Sequence, residues 1–240
     1  MSQGSKNNVV SDNPSVADSI DLLVLLAYSE QTAFLRLADD ATTSPSAEQK
    51  VAHTFLAGGA FLRYDRICKR ISALGVEPRA RLVAIEGAFD GYEARTPAEK
   101  WHERVLKGYV GREVANDFCR LAMSTLDVKT QEFISEILAQ TEASDAEVQI
   151  LLQGCEEDPI LASRLALWSR RLMGELLNQI QELVLSIPAL ERLVIAVADQ
   201  SGTDITVGTA EESKRLKVSW IFSQLTADHA RRMDRLGLAA

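Results

Sequence analysis

The chain is sparing with the residues that carry most small-site chemistry. Its 240 residues include three cysteines and three histidines. Cys68, Cys119 and Cys155 are far apart, odd in number and without a Cys-x-x-Cys pair. That excludes a disulfide framework and fits reduced thiols in a cytoplasmic protein. Aromatic residues make up only 6% of the chain, so the core falls to Leu, Ile, Val and Ala within a hydrophobic share of 46%. Long apolar runs are missing too. The longest, Leu22–Tyr28, is far too short to span a bilayer, so no membrane partner is expected. Positive charge is in deficit, 26 basic against 34 acidic residues, for a net charge of −8. This balance speaks against a non-specific nucleic-acid binder, though it leaves room for a local basic patch. There is no Ser-His-Asp spacing, phosphate loop or zinc pattern. The N-terminus carries no signal-peptide pattern, and no internal repeat or strand-like alternation appears.

What is present is helical periodicity. Residues 1–13, rich in Ser, Asn and Gln, read as a flexible tail, and 14–240 as one all-α domain with a four-helix core over 14–154 and a helical extension over 159–237. The first helix is expected over 14–41, with Asn13 as its cap and Pro14 in the first turn. The second runs over 45–74, closed by Gly75 in a left-handed cap. A short helix is expected over 79–89. Thr96-Pro97-Ala98-Glu99 reads as a capping box that starts the third long helix. The fourth runs from the cap Asp127 to the stop at Gly154. Asp158-Pro159 opens a helix reaching about Ile187, a short helix covers 190–198, and Thr209-x-x-Glu212 caps a last one ending at Gly237.

The informative residues are polar groups on apolar faces. In the first helix Val16, Ile20, Leu23, Ala27, Glu30, Phe34, Leu37 and Ala41 form one stripe, and only Glu30 is charged. A carboxylate there faces a bundle core, which is costly unless it is paired or bound to a metal. On the second helix Arg63 shares the face of Ala60, Ile67 and Ile71. The third places Asp117, or Glu113, in an apolar stripe. The fourth has Glu142 and Asp145 beside Ile134, Leu138, Val148 and Leu152.

Acids at mid-length on several helices resemble the ferritin-like bundle. There two helices each give one Glu, and two each give Glu-x-x-His, to bind a pair of iron or manganese ions. More narrowly, the chain resembles the actinobacterial ferritin-like proteins similar to MiaE, the tRNA 2-methylthio-isopentenyladenosine hydroxylase. The resemblance rests on Ala27-Tyr28-Ser29-Glu30 with Phe34-Leu35-Arg36-Leu37-Ala38-Asp39-Asp40. It continues in Tyr109-Val110 with Asp117-Phe118, in Leu165-Ala166-Leu167-Trp168, and in Thr226-Ala227-Asp228-His229-Ala230-Arg231-Arg232. It implies a di-iron hydroxylase fold with metal-centre positions at Glu30, Ala60, Arg63, Asp117, Glu142 and Asp145. Two departures stand against an assembled centre. The first Glu-x-x-His is Ala60-x-x-Arg63, and the second is Glu142-x-x-Asp145.

The remaining histidines have plainer readings. Glu99-x-x-His102 lies at a helix start, where Glu99 is the capping partner. His53 reads as a core-edge histidine. His229 lies among Arg231, Arg232 and Arg235, on a face read as solvated. With Lys214, Arg215 and Lys217, those arginines are the candidate RNA-facing patch. The expectation is therefore a non-catalytic binding or structural protein without a cofactor, in which Arg63 neutralises Glu30 and Asp117. Its partner would be a protein, an RNA or a second copy of the chain. The alternative is a tRNA-modifying hydroxylase or oxidase using iron or manganese in an altered carboxylate-rich site.

Overall fold

The computed structural model describes residues 15–140, 144–202 and 209–238. The expected tail over 1–13 and the expected cap Asn13 lie outside them. Helix α1, Val16–Thr43, starts from Ser15 instead. The Ser15 hydroxyl accepts the Asp18 N–H at 3.3 Å, and the Asp18 carboxylate accepts the Ser15 N–H at 2.7 Å. Two otherwise orphaned donors are thereby satisfied. Every residue from Leu22 to Ala27 is buried. α1 is consequently packed on more than one side, against α2 (Ala47–Ala73), α5 (Trp101–Met123) and α9 (Pro188–Gln200). Alanine at the facing positions Ala33, Ala57 and Ala60 lets α1 and α2 approach closely. The second helix ends at Leu74, and Gly75 has φ 84°, the expected left-handed cap.

The chain then departs from expectation in two places. The short helix expected over 79–89 is realised only as α3 (Pro78–Ala84), and an unexpected α4 (Asp90–Arg95) follows Gly87, whose φ is 80° and whose N–H donates to the Tyr28 hydroxyl at 2.9 Å. The capping box at Thr96 does not form. α5 begins at Trp101, and the Thr96 hydroxyl donates back to the Tyr92 carbonyl at 2.6 Å, closing α4. The same Thr-x-x-Glu pattern is realised at the last helix, where Thr209 and Glu212 exchange hydrogen bonds.

The expected fourth helix is also two. α6 (Val128–Ala139) is capped by Asp127 and ends at Gln140; α7 (Ser144–Glu157) runs past Gly154. Gly154 faces the His102 ring so closely that a Cβ would stand 2.5 Å from its Nε2. It is kept for that approach and does not end the helix.

α8 (Pro159–Ser186), α9 and α10 (Ala210–Arg235) are not an appendage. Leu165, Leu172, Leu190, Leu193 and Leu225 belong to the same core cluster as α1 and α5. Among the described residues there is no strand, and no helix is long and apolar enough to cross a membrane.

Candidate functional site

Antiparallel packing of α1 on α5 brings the polar side chains of both into one interior line. Arg104 Nε donates to Asp40 at 2.8 Å, and Arg36 Nη1 donates to the other Asp40 oxygen at 2.8 Å. Arg36 reaches this position only because α5 has Gly108 beneath it; a Cβ there would overlap the guanidinium at 1.9 Å. Arg36 Nη2 is 3.5 Å from Glu147 on α7, and Arg112 on α5 donates to the second Glu147 oxygen. From Arg112 the line continues to Glu113 at 3.7 Å, from Glu113 to Arg232 on α10 at 3.5 Å, and from Arg232 to Asp117. Arg120 closes the far end on Asp117 at 2.7 Å. Acids and arginines alternate throughout.

A second pair joins this line from the side. Arg63 Nε donates to Glu30 at 2.9 Å, with both side chains almost fully enclosed, at 4% and 3% exposure. Its Nη1 reaches the carbonyl of Gln140, the residue that caps α6, at 3.4 Å. The negative charge of Glu30 also acts on Arg112. Two buried pairs, Glu30–Arg63 from α1 and α2 and Glu147–Arg112 from α7 and α5, thus lie near enough to act on each other through charge.

The burial of these groups sets their ionisation. Burial alone would raise the pKa of Glu147. Arg112 and Arg36 outweigh it and hold the carboxyl below the usual range. Asp117 goes the other way, because burial prevails over Arg232 and raises it. His229 is pushed down to about 4 by burial and the neighbouring Arg232 charge, so it is neutral near pH 7. This corrects the solvated placement: His229 is buried, and Arg232 points inward. Lys214 and Lys217 of the expected basic patch pair with Glu191 and Asp199 on α9 and its end.

The positions singled out from sequence are therefore divided. Glu30, Ala60 and Arg63 come together, with Ala60 fully buried at the α1–α2 contact. Asp117 does not join them, since its partners are Arg232 and Arg120 rather than Arg63. Glu142 and the side chain of Asp145 lie outside the described residues. Glu147, two residues farther on, supplies the acid of this helix, and Arg112 is its counter-ion. Sequence reasoning missed both. His53 is fully buried, with Nδ1 2.9 Å from the Gln49 carbonyl and its ring 4.9 Å from that of Trp101. It is a packed histidine.

The fold agrees with a family comparison. Residues 15–197 match the family model described as a ferritin-like domain of actinomycetes. The chain belongs to that ferritin-like family. No curated protein matches it.

A ferritin-like bundle implies a metal centre at mid-length, and the donor set tests that implication. Among the described residues no group of three His, Cys, Asp or Glu side chains converges as a metal site. Glu30 and Glu147 are each engaged by a guanidinium, and Arg63 and Arg112 bring two fixed charges into the same volume. A divalent ion at this place would be repelled by both, and the one imidazole close enough to act on Glu147, that of His53, is packed on α2 with Nδ1 at the Gln49 carbonyl. The donor set among the described residues does not fit a di-metal centre.

Proposed function

We propose that this ferritin-like protein acts by binding and not by metal catalysis. The observation that carries the reading is the pair of guanidiniums, Arg63 and Arg112, held among buried acids where the fold's metals would have to be ligated. Buried arginine–carboxylate pairs gain little net stability over apolar packing but are costly to break from one side. They fix how α1, α2, α5 and α7 are rotated against one another. The protein so built is a rigid scaffold.

The binding half of the reading is supported by the outer face of α2. Val51, Phe55 and Leu62 follow at helical spacing and are 55%, 77% and 63% exposed. Such a stripe suits a protein partner, with a second copy of the chain as the simplest case. The three unpaired cysteines fit a reducing, cytoplasmic setting. The rival reading, a tRNA-modifying hydroxylase of the MiaE type, needs iron or manganese on the same residues.

Two measurements separate these. Protein purified without chelators is expected to carry far less than one iron or manganese per chain by elemental analysis. Stoichiometric metal that disappears in Glu30→Ala would instead establish the hydroxylase reading. Phe55→Lys is expected to leave the helical spectrum unchanged and to abolish self-association in sedimentation. A wild-type chain that stays monomeric at high concentration would remove the second copy as the occupant of this face.

A further inference from the structure

A second feature lies where α1 faces α5 and α8. A cavity of about 110 Å³ runs between α1, α4, α5 and α8. Its walls are chemically graded. The antiparallel α1–α5 contact places Leu25, Phe118 and Leu183 toward one end and Arg36, Lys107 and Arg112 toward the other. The apolar end resembles a protein interior without side chains to fill it. The polar end is rich in donors. Arg112 Nη1 and the Tyr92 hydroxyl are buried and have no hydrogen-bond partner among the described residues, and both residues line the cavity. Each residue is only 6% exposed. Burial also raises the Tyr92 pKa, so its hydroxyl stays protonated and able to donate. Orphaned buried donors are costly and rare in native proteins, so their concentration at one end of an apolar cavity calls for an acceptor.

We propose that this cavity binds a small apolar monocarboxylate, with the carboxylate at Tyr92 and Arg112 and the hydrocarbon body toward Phe118 and Leu183. Size and sign select the class. An engineered apolar cavity of roughly 150 Å³ takes up benzene, so about this space suits one ring or a short acyl chain. The three cationic residues at the polar end are paired, Lys107 with Glu93 at 2.5 Å and Arg36 and Arg112 with Asp40 and Glu147 outside the lining, so the open donor there is Arg112 Nη1. A cation or a second acid is disfavoured there, and a neutral ligand would leave Arg112 incompletely satisfied. The only thiol on the wall, Cys119, is pushed up to about 12 by burial and takes no part as a nucleophile. Glycine at 111 keeps the cavity open: a Cβ there would meet only the Tyr92 hydroxyl, at 3.8 Å. The inference goes beyond the scaffold reading and shares only Arg112 with it; no residue of the Glu30–Arg63 pair lines the cavity.

The test is calorimetric titration of the full-length protein with benzoate, phenylacetate and hexanoate, each beside its neutral amide. At least one acid is expected to bind with Kd of about 1 mM or tighter, and about tenfold more tightly than its amide. Tyr92→Phe is expected to weaken the acid several-fold, and Gly111→Leu to abolish binding by filling the cavity. Gly111→Ala, which the space accommodates, serves as the milder variant if Gly111→Leu fails to fold, and should reduce affinity for the ring acids first. Three results would overturn the proposal: no acid binding in the millimolar range, equal binding of acids and amides, or binding unaffected by either Gly111 variant. Metal content does not enter this readout, so its failure is distinct from failure of the scaffold reading.

Discussion

Arg112→Met is expected to destabilise the folded chain by about 3–5 kcal/mol at neutral pH, near the cost of breaking a buried pair from one side. The variant leaves Glu147 fully buried with Arg36 as its remaining counter-charge, 3.5 Å away on one oxygen. That places the loss toward the lower end of the range. The pH dependence is the more discriminating readout. In the wild type Glu147 is held below its unfolded value. Its contribution is therefore complete above the unfolded carboxylate range and is lost as pH falls through the lower, folded value. Without Arg112 burial takes over, and the folded carboxyl should bind its proton more tightly than the unfolded one. The slope then inverts at this site: Arg112→Met should recover part of its deficit as pH falls from neutrality into the carboxylate range. Urea denaturation of both proteins at several pH values measures this directly. A loss below about 1 kcal/mol, with parallel pH profiles, would mean that the interior line of charge is an accessory of the fold.

Residues on either side of this pair explain how far the sequence could be read. The α1 stripe survives from Ile20 to Ala41, with Phe34 half-buried and Val16 64% exposed at the start, and with it the pairing of Glu30 by Arg63, because a long uninterrupted helix keeps its phase. Glu147 was hidden by a phase reset. Read as one helix, residues 127–154 place Asp145, Val148 and Leu152 inward. α6 ends at Ala139 with Gln140 as its cap, and α7, counted afresh from Ser144, instead buries Glu147, Ile150 and Leu151. Spacings of three and four from Glu147 would have revealed it, had the segment been read by itself. Arg112 escaped for a different reason. α5 is enclosed by α1, α6, α7, α8, α9 and α10, so it has no single buried stripe, and Lys107, Arg112 and Asn116 are all buried beside Val110 and Val114. Periodicity carries little information on a helix surrounded by others. His229 was legible in principle: Ile221, Leu225, His229 and Met233 step by four, and all four are buried. The arginines around it, Arg231, Arg232 and Arg235, mask that stripe with charge in the local sequence. At Thr96 the local signal was sound, but a competing use of the hydroxyl, closing α4, prevailed.

Arg63→Leu is expected to cost about 3–5 kcal/mol as well, but for a pair with fewer alternatives. Glu30 Oε2 already lacks a hydrogen-bond partner among the described residues, and Arg63 is the sole donor recorded on Oε1. Its removal strands a carboxylate that is 3% exposed and also releases the Gln140 carbonyl at the end of α6. Removing both charges avoids most of the penalty. Glu30→Leu with Arg63→Leu should lie within about 1 kcal/mol of the wild type or above it, because apolar packing of similar volume does as well as a buried pair. The two single variants and the double variant form a thermodynamic cycle whose coupling term isolates the pair. A further double variant addresses the origin of the site. Ala60→Glu with Arg63→His supplies one Glu-x-x-His unit on α2 beside Glu30, and removes one of the two guanidiniums that repel a cation. It should gain thermal stability on addition of Mn(II) or Fe(II), by about 2.7 kcal/mol once the ion reaches a hundredfold excess over its Kd. The wild type should not respond. If the double variant is equally indifferent to both ions, Arg112 alone suffices to keep metal out. In that case Arg112→Glu in the same background is the arrangement that should bind.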